Sequence, residues 1–163
     1  LAEDVIDEGR ACVLVLNKWD LITDDYERKV VERSLETKFR FLEWAPRVRT
    51  SALTGRGIGR ILGALEVAIA SHRLRLPTAR VNTLIRDAQE RRPHPRTGGR
   101  GRRILYAVQA SIAPPLFLLY SSGSLQTEYL RYLENRVREV EPFTGSPIKM
   151  ETRLKARGER ARR

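Results

Sequence analysis

Twice between Ala11 and His72 a short apolar run gives way to a segment of helical periodicity, and this alternation constrains the fold more tightly than any other feature. Residues 11–16, "ACVLVL", read as a buried strand. Residues 25–43 then put Val30, Val31, Leu35, Phe39 and Leu42 on one face of a helix, and residues 47–51 make a second short strand. Residues 57–72 repeat Ile58, Ile61, Leu62, Leu65 and Ile69 at helical spacing. A short helix over residues 1–9, with Leu1, Ala2, Val5 and Ile6 on one face, precedes the first strand. Strands separated by helices lie parallel in one sheet with the helices packed on it, so the first half is expected to be α/β. Pro77 ends the last helical run and sets a domain boundary near residue 76. The chain opens on Leu1 rather than Met and is expected to be cut from something longer.

Beyond residue 76 the pattern changes. Val81, Leu84, Ile85 and Ala88 mark a helix, and "RRPHPRTGGRGRR" follows as a loop with six arginines and no acid. "RILYAVQA" and "LFLLYS" read as strands separated by Ser111 to Pro115. A helix from Leu125 to Val140 carries Leu125, Tyr129, Leu133, Val137 and Val140 on one side. In "PIKMETRLK" Ile148, Met150, Thr152 and Leu154 alternate with Lys149, Glu151, Arg153 and Lys155, the pattern of a half-buried strand. The order is α-β-β-α-β over residues 77–155, a three-stranded sheet covered by two helices, with residues 156–163 as a solvated basic tail.

Charge divides the chain in the same way. Residues 1–80 hold 14 Lys+Arg against 12 Asp+Glu and residues 81–163 hold 17 against 8, so +9 of the net +11 lies in the second half. Such an excess favours polyanions. No apolar run approaches the ~20 residues of a membrane-spanning helix, and no basic amphipathic helix with exposed aromatics stands out. Nucleic acid is therefore expected as a partner and a membrane is not. Cys12 is the only cysteine, so no internal disulfide forms and a reducing, cytoplasmic setting is expected, with the thiol buried and inert. His72 and His94 are isolated from each other and from Cys12, so no metal site is expected.

The first strand ends in Asn17, Lys18, Trp19 and Asp20, and ligands of parallel α/β sheets bind beyond the carboxyl ends of strands. A carboxylate accepts through two oxygens, so Asp20 suits a base edge with two adjacent N–H donors, which guanine has and adenine lacks. Asn17 offers both amide functions, for a purine acceptor and for tying neighbouring loops together. The Lys18 stem can lie against a ring with its ammonium in water. Hydrogen bonds to a charged group are worth roughly 1.5–3 kcal/mol each, so two on Asp20 would dominate base choice. A plain polar turn, with Asp20 or Thr23 capping the next helix, would explain the tetrapeptide equally well by itself. The second signal is "RTSALTGRGIGRIL", about 30 residues on and again at a strand end. There Ser51, Ala52 and Leu53 can bring backbone N–H groups to the same ring, with the Ala52 N–H placed for a guanine oxygen.

"NKWDL" followed by "SALTG" resembles the guanine-specificity boxes of translation-factor-type GTPases. "RRILYAVQASIAPPLFLLYSS", "YLRYLENRVRE" and "FTGSPIKM" resemble the KH-like domain that ends the tandem GTPases of the Der/EngA family. The resemblance covers nearly the whole chain. It implies a partial P-loop GTPase-type parallel sheet in residues 1–76, the end of a second GTPase domain, followed by an α+β KH-like domain. It also implies GTP binding and slow hydrolysis by the intact protein, coupled to assembly of the large ribosomal subunit. The KH-like domain is then expected to lie against the upstream GTPase domains of the same polypeptide and to contact ribosomal RNA.

Phosphate binding needs a Gly-rich loop closing on Lys-Ser/Thr, whose amides and lysine cradle the phosphates and whose hydroxyl holds Mg²⁺. Residues 55–60, "GRGIGR", lack the closing pair. The resemblance puts the phosphate loop and the Mg²⁺ ligands upstream of Leu1, so no GTP or GDP is expected on this chain alone and no GTP hydrolysis by it. KH domains that hold RNA use a Gly-x-x-Gly loop between two helices. Gly98 and Gly101 have that spacing, but in the arginine loop between a helix and a strand. Where the clamp belongs, before Leu125, the chain reads "SSGS". The expected RNA contact is therefore electrostatic, through Arg91, Arg92, Arg96, Arg100, Arg102, Arg103, Lys149 and Arg153. Tyr129 and Tyr132 are expected to pack in the core with their hydroxyls wet rather than to stack on bases. Two other readings stay open: an Era-type single GTPase with a KH domain, and a non-catalytic RNA-binding module.

Overall fold

A computed structural model describes residues 2–95 and 101–154. Its elements are α1 (Ala2–Asp7), β1 (Leu14–Leu16), α2 (Asp25–Lys38), β2 (Arg47–Arg49), α3 (Arg60–His72), α4 (Thr78–Arg91), β3 (Ile104–Ile112), β4 (Pro115–Ser121), α5 (Thr127–Val140) and β5 (Lys149–Leu154). Single 3₁₀ turns lie at Trp19–Leu21 and Arg40–Leu42. The architecture is α/β: a small parallel sheet with helices, then a mixed three-stranded sheet with helices. The chain forms two units, one of residues up to Arg73 together with Phe143–Pro147, the other of Leu74–Pro142 and the residues from Ile148.

In the first unit β1 and β2 pair in parallel, Leu14 opposite Arg47 and Leu16 opposite Arg49. Asp24 caps α2 by accepting from the Glu27 N–H at 2.7 Å, satisfying one of the amides a helix start leaves unpaired. Leu42, Ala45, Val48 and Phe143 are buried. No residue of α2 is buried, and Val30, expected to face inward, is half exposed. The same holds for residues 57–72, where Ile58, just before α3, and Leu62, Leu65 and Ile69 of the expected inner face are exposed and only Ala68 of α3 is buried. Two strands of three residues are each only about 10 Å long. So narrow a sheet cannot cover a whole helical face, and α3 presents the small Ala68 to a neighbouring stretch of backbone. That backbone is Gly145, where an added Cβ would come 2.3 Å from the Ala68 Cβ.

Gly145 also joins the lead-ins of both strands. Its carbonyl accepts from the Cys12 N–H and its N–H donates to the Trp44 carbonyl, each at 2.8 Å. Beside it His72 Nδ1 lies 2.8 Å from Ser146 Oγ. Burial and the neighbouring Arg10 and Arg73 guanidiniums lower the His72 pKa, favouring the neutral ring. Cys12, expected to be buried, is only partly so, and that partial burial raises its pKa, favouring the protonated thiol.

The second unit has the order α4-β3-β4-α5-β5, with β3 and β4 antiparallel and β4 and β5 parallel. One face of its sheet, with Ala107, Phe117, Leu119 and Ser121, is buried beside Val81, Ile85 and Ala88 of α4 and Tyr129, Leu133 and Val137 of α5. Met150 and Thr152 stand opposite Phe117 and Leu119 on the expected inner face of β5, but Leu154, expected on the same face, is exposed. The connection between β3 and β4 is tighter than "Ser111 to Pro115" suggested. Ile112 pairs with Pro115 across Ala113–Pro114, a cis peptide, and Pro115 is tolerated because it opens the strand.

β3 is an edge strand whose outer backbone groups need partners. Asn82 supplies them at Ala107, its amide donating to the Ala107 carbonyl and accepting from the Ala107 N–H, both at 2.9 Å. Gln89, two turns further along α4, does the same at Ile104, at 3.1 and 2.7 Å. Gln109 is buried, accepts from the Leu76 N–H and donates to the Leu74 carbonyl, both at 2.8 Å. The Tyr129 and Tyr132 hydroxyls, expected to be wet, instead donate to the Arg92 and Ala88 carbonyls at 2.9 Å at the C-terminal end of α4.

A candidate base-binding site and two basic surfaces

β1 ends at Leu16 and the chain turns sharply, Lys18 taking a left-handed conformation with φ 61°. β2 ends beside it, and the two ends are tied by Thr50 N–H to the Leu16 carbonyl and Trp19 N–H to the Thr50 carbonyl, both at 2.9 Å. Asn17 Oδ1 accepts from the Ala52 N–H at 3.0 Å. The amide at the end of one strand thus fixes the loop at the end of the other.

A cavity of about 300 Å³ opens at this point, lined by Asn17, Lys18, Asp20, Leu21, Ala52 and Leu53. Asp20 is exposed there and has no hydrogen-bond or ion-pair partner among the described residues. Leu53 and Leu21 are exposed at the cavity edge, apolar surface of the kind a flat ring covers. Ser51 is buried below, its N–H given to the Arg56 carbonyl at 2.9 Å and its Oγ accepting from the Thr54 N–H at 3.1 Å. Five of the six residues read from the sequence therefore line one cavity and Ser51 supports its wall. The Ala52 N–H is already engaged by Asn17, so a purine oxygen must share that donor or displace the side chain. These side chains offer a carboxylate, an amide, an ammonium and an apolar edge, a set that fits a purine base. No described residue supplies a lysine and hydroxyl in a Gly-rich turn for phosphates and Mg²⁺.

In the second unit the described arginines of the expected RNA contact lie towards one end. Arg91 and Arg92 close α4, which Gln89 ties to the start of β3, where Arg102 and Arg103 stand. Arg153 pairs with Tyr120, which pairs with Tyr106 near the same end, whereas Lys149 pairs with Leu116 about four residues, or ~13 Å, away. Arg92 lies over the Tyr132 ring at 5.3 Å and Arg153 meets Glu151 at 3.3 Å. Arg102 folds over the Ser122–Ser124 turn, bonding the Ser124 carbonyl and, at 3.2 Å, its Oγ. Its Cγ would be 3.2 Å from a Cβ on Gly123, so the chain's own arginine covers the turn that precedes α5. Arg96 and Arg100, and Gly98 of the misplaced Gly-x-x-Gly spacing, lie outside the described residues.

A second basic surface, in the first unit, was missed by the sequence reading. Arg28, Arg49, Arg56 and Arg60 line a cavity of about 280 Å³ with Trp19 and Asp20. Arg47, Arg49 and Arg60 line an adjoining one of about 230 Å³ with Glu32. The alternation Arg47-Val48-Arg49, which sends both arginines away from the buried valine, was the available signal.

Residues 75–153 match the family described as the KH-domain-like domain of EngA bacterial GTPase enzymes, C-terminal. Over 160 residues the chain is 43% identical to a protein of Mycolicibacterium vanbaalenii called GTPase Der, covering 98% of this chain and 34% of that one. It is 42% identical over 159 residues to GTPase Der of Mycobacterium avium, covering 97% and 34%. To GTPase Der of Leifsonia xyli subsp. xyli it is 41% identical over 151 residues, covering 93% and 31%. The chain spans about a third of the length of the curated relatives it matches.

Proposed function

Because the chain carries the C-terminal KH-like domain of the Der/EngA family and is homologous to that region of GTPase Der, we propose that it is part of a GTP-binding protein acting in assembly of the large ribosomal subunit. In this reading residues 1–76 are the C-terminal portion of a GTPase domain and contribute its guanine site. Residues 77–155 are the KH-like domain, which lies against the upstream GTPase domains and contacts ribosomal RNA. The observation that carries the reading is the bond from the Ala52 N–H to Asn17 Oδ1 at the ends of two parallel strands, beside an unpartnered Asp20 carboxylate. That carboxylate would take the two adjacent N–H donors of guanine. A base without them leaves it desolvated and unpaired, which is how sites reach about 10⁴-fold discrimination. GTP or GDP and Mg²⁺ belong to the intact protein, whose phosphate loop lies upstream, and the exposed apolar face of α3 supports a larger sheet there.

Replacing Asp20 by Asn in the intact polypeptide tests the site. Preference for guanine over xanthine nucleotides is expected to fall, because the amide offers a donor where the carboxylate offered an acceptor. An unchanged preference refutes the assignment. The 163-residue chain alone is expected to bind GTP very weakly, and a single-site isotherm at micromolar affinity would overturn that. For the KH-like face, three or four phosphate contacts from Arg91, Arg92, Arg96, Arg100, Arg102, Arg103, Lys149 and Arg153 give a log–log salt slope of roughly −2 to −3. A slope near zero removes the RNA contact from the reading.

A further inference from the structure

The two adjoining arginine cavities of the first unit share Arg49 and Arg60 and form one trough along β2. Arg47 and Arg49 sit two residues apart on the strand, about 6.6 Å, a spacing comparable with that of successive phosphates on an extended strand. Arg56 and Arg60 come from the loop and first turn at the N-terminus of α3, the positive end of a 13-residue helix.

The loop is held in place by the backbone. Ser51 N–H donates to the Arg56 carbonyl at 2.9 Å, and Arg60 N–H to the Gly57 carbonyl at 3.1 Å. Gly57, at φ +78°, is pressed so close to β2 that an added Cβ would lie 2.2 Å from the Arg49 carbonyl oxygen. Trp19 forms the end wall, with Arg49 over its ring at 5.0 Å.

Two of the arginines are partly compensated, Arg28 by Asp25 at 2.8 Å and Arg49 by Glu32. Arg47, Arg56 and Arg60 have no acidic partner among the described residues. Only Asp20 and Glu32 contribute negative charge to the trough lining. Three guanidiniums without an acidic partner in one groove are the elements with which proteins track the backbone of a single nucleic-acid strand. Arginine's planar fork also matches a phosphate with two parallel hydrogen bonds.

We propose that this trough, which meets the guanine cavity at Asp20 but presents arginines of its own, binds the phosphodiester backbone of single-stranded RNA independently of the arginines of the second unit. An acidic peptide would meet the same charges, but it would leave the spaced, planar donors less fully used.

The test is fluorescence anisotropy of a labelled oligouridylate with the 163-residue chain across a salt series. Changing Arg47, Arg56 and Arg60 together to Gln is expected to flatten the log–log salt slope by about 2, from three contacts at about 0.7 each. Arg60→Gln alone, which guards against a misfolded triple variant, is expected to flatten it by about 0.7. An Arg102→Gln, Arg103→Gln pair reads the second unit separately, so loss there with no loss here overturns this proposal and leaves the KH-like contact standing. The reverse result supports the trough and removes the other. An unchanged slope in the triple variant overturns the proposal, and so does polyglutamate that displaces the RNA as well as an unlabelled oligouridylate does.

Discussion

Gly145 allows a prediction whose parts can be separated. An L-residue at φ +76° costs about 1–2 kcal/mol from the clash of its Cβ with the backbone, offset by about 0.4–1 kcal/mol for a less free unfolded chain. Gly55 has the same φ of +76° but nothing within 4 Å of an added Cβ, so Gly55→Ala isolates this term at about 1 kcal/mol. At Gly145 the added methyl lies 2.3 Å from the Ala68 Cβ, 2.9 Å from its Cα and 3.1 Å from the Cys12 carbonyl oxygen. Backbone atoms cannot swing aside as a flexible side chain does, and forcing a methyl into a packed site adds typically about 1–3 kcal/mol. Gly145→Ala is therefore expected to destabilise the first unit by about 2–4 kcal/mol in all. Both tryptophans of the chain, Trp19 and Trp44, belong to that unit, so urea unfolding followed by indole fluorescence reads it alone. If the two alanine variants unfold within about 0.5 kcal/mol of each other, the contact with Ala68 is not the constraint described here.

Two further outcomes follow from single side chains. The His72 pKa is lowered in the fold, so below the ordinary imidazole pKa of 6.5 the unfolded chain binds the proton first. Stability of the first unit is then full above that value and falls as pH drops through the window beneath it. A His72→Asn variant is expected to lose that acid dependence, and parallel acid curves for the two proteins count against His72 as its source. In the second unit, Asn82→Ala leaves the N–H and carbonyl of the fully buried Ala107 without their partners, a loss of about 2–4 kcal/mol. Hydrogen exchange at the Ala107 amide reads this directly, and unchanged protection there would show that water or another group replaces the amide.

How much of the fold could be read from the sequence depended on whether each element had a full surface to pack on. Of the residues expected on the inner side of the helix from Leu125 to Val140, the central Tyr129, Leu133 and Val137 are buried on the three-stranded sheet, whereas Leu125 is partly exposed and Val140 exposed at its ends. The same periodicity over residues 57–72 named Ile58, Leu62, Leu65 and Ile69, which are exposed. Periodicity identifies the apolar stripe of a helix, but it cannot tell which part of that stripe a narrow two-stranded sheet will cover. The amide clamps of Asn82 and Gln89 carry no apolar signal at all, and only the edge position of β3 gives them meaning.

The candidate base site was legible for the opposite reason, since its chemistry is local to two strand ends. Asn17, Lys18 and Asp20 are consecutive or nearly so, Ala52 and Leu53 are adjacent, and only the parallel pairing of β1 and β2 is needed to bring the groups together. What holds that pairing at its other end was not legible. The lead-ins to β1 and β2 are joined by the N–H and carbonyl of Gly145, more than 90 residues along the chain, and backbone groups leave no trace in residue type. Only the glycine itself marks the place, where the conformation and the closeness of Ala68 both exclude a side chain. Each strand has three residues, so the Gly145 clasp and the Asn17–Ala52 bond are separated by little more than ~10 Å of paired backbone. So short a pair has few ladder bonds of its own with which to fix the spacing of its ends. The geometry of the cavity therefore depends on Phe143–Pro147, and the first unit is complete only when that later segment has been made.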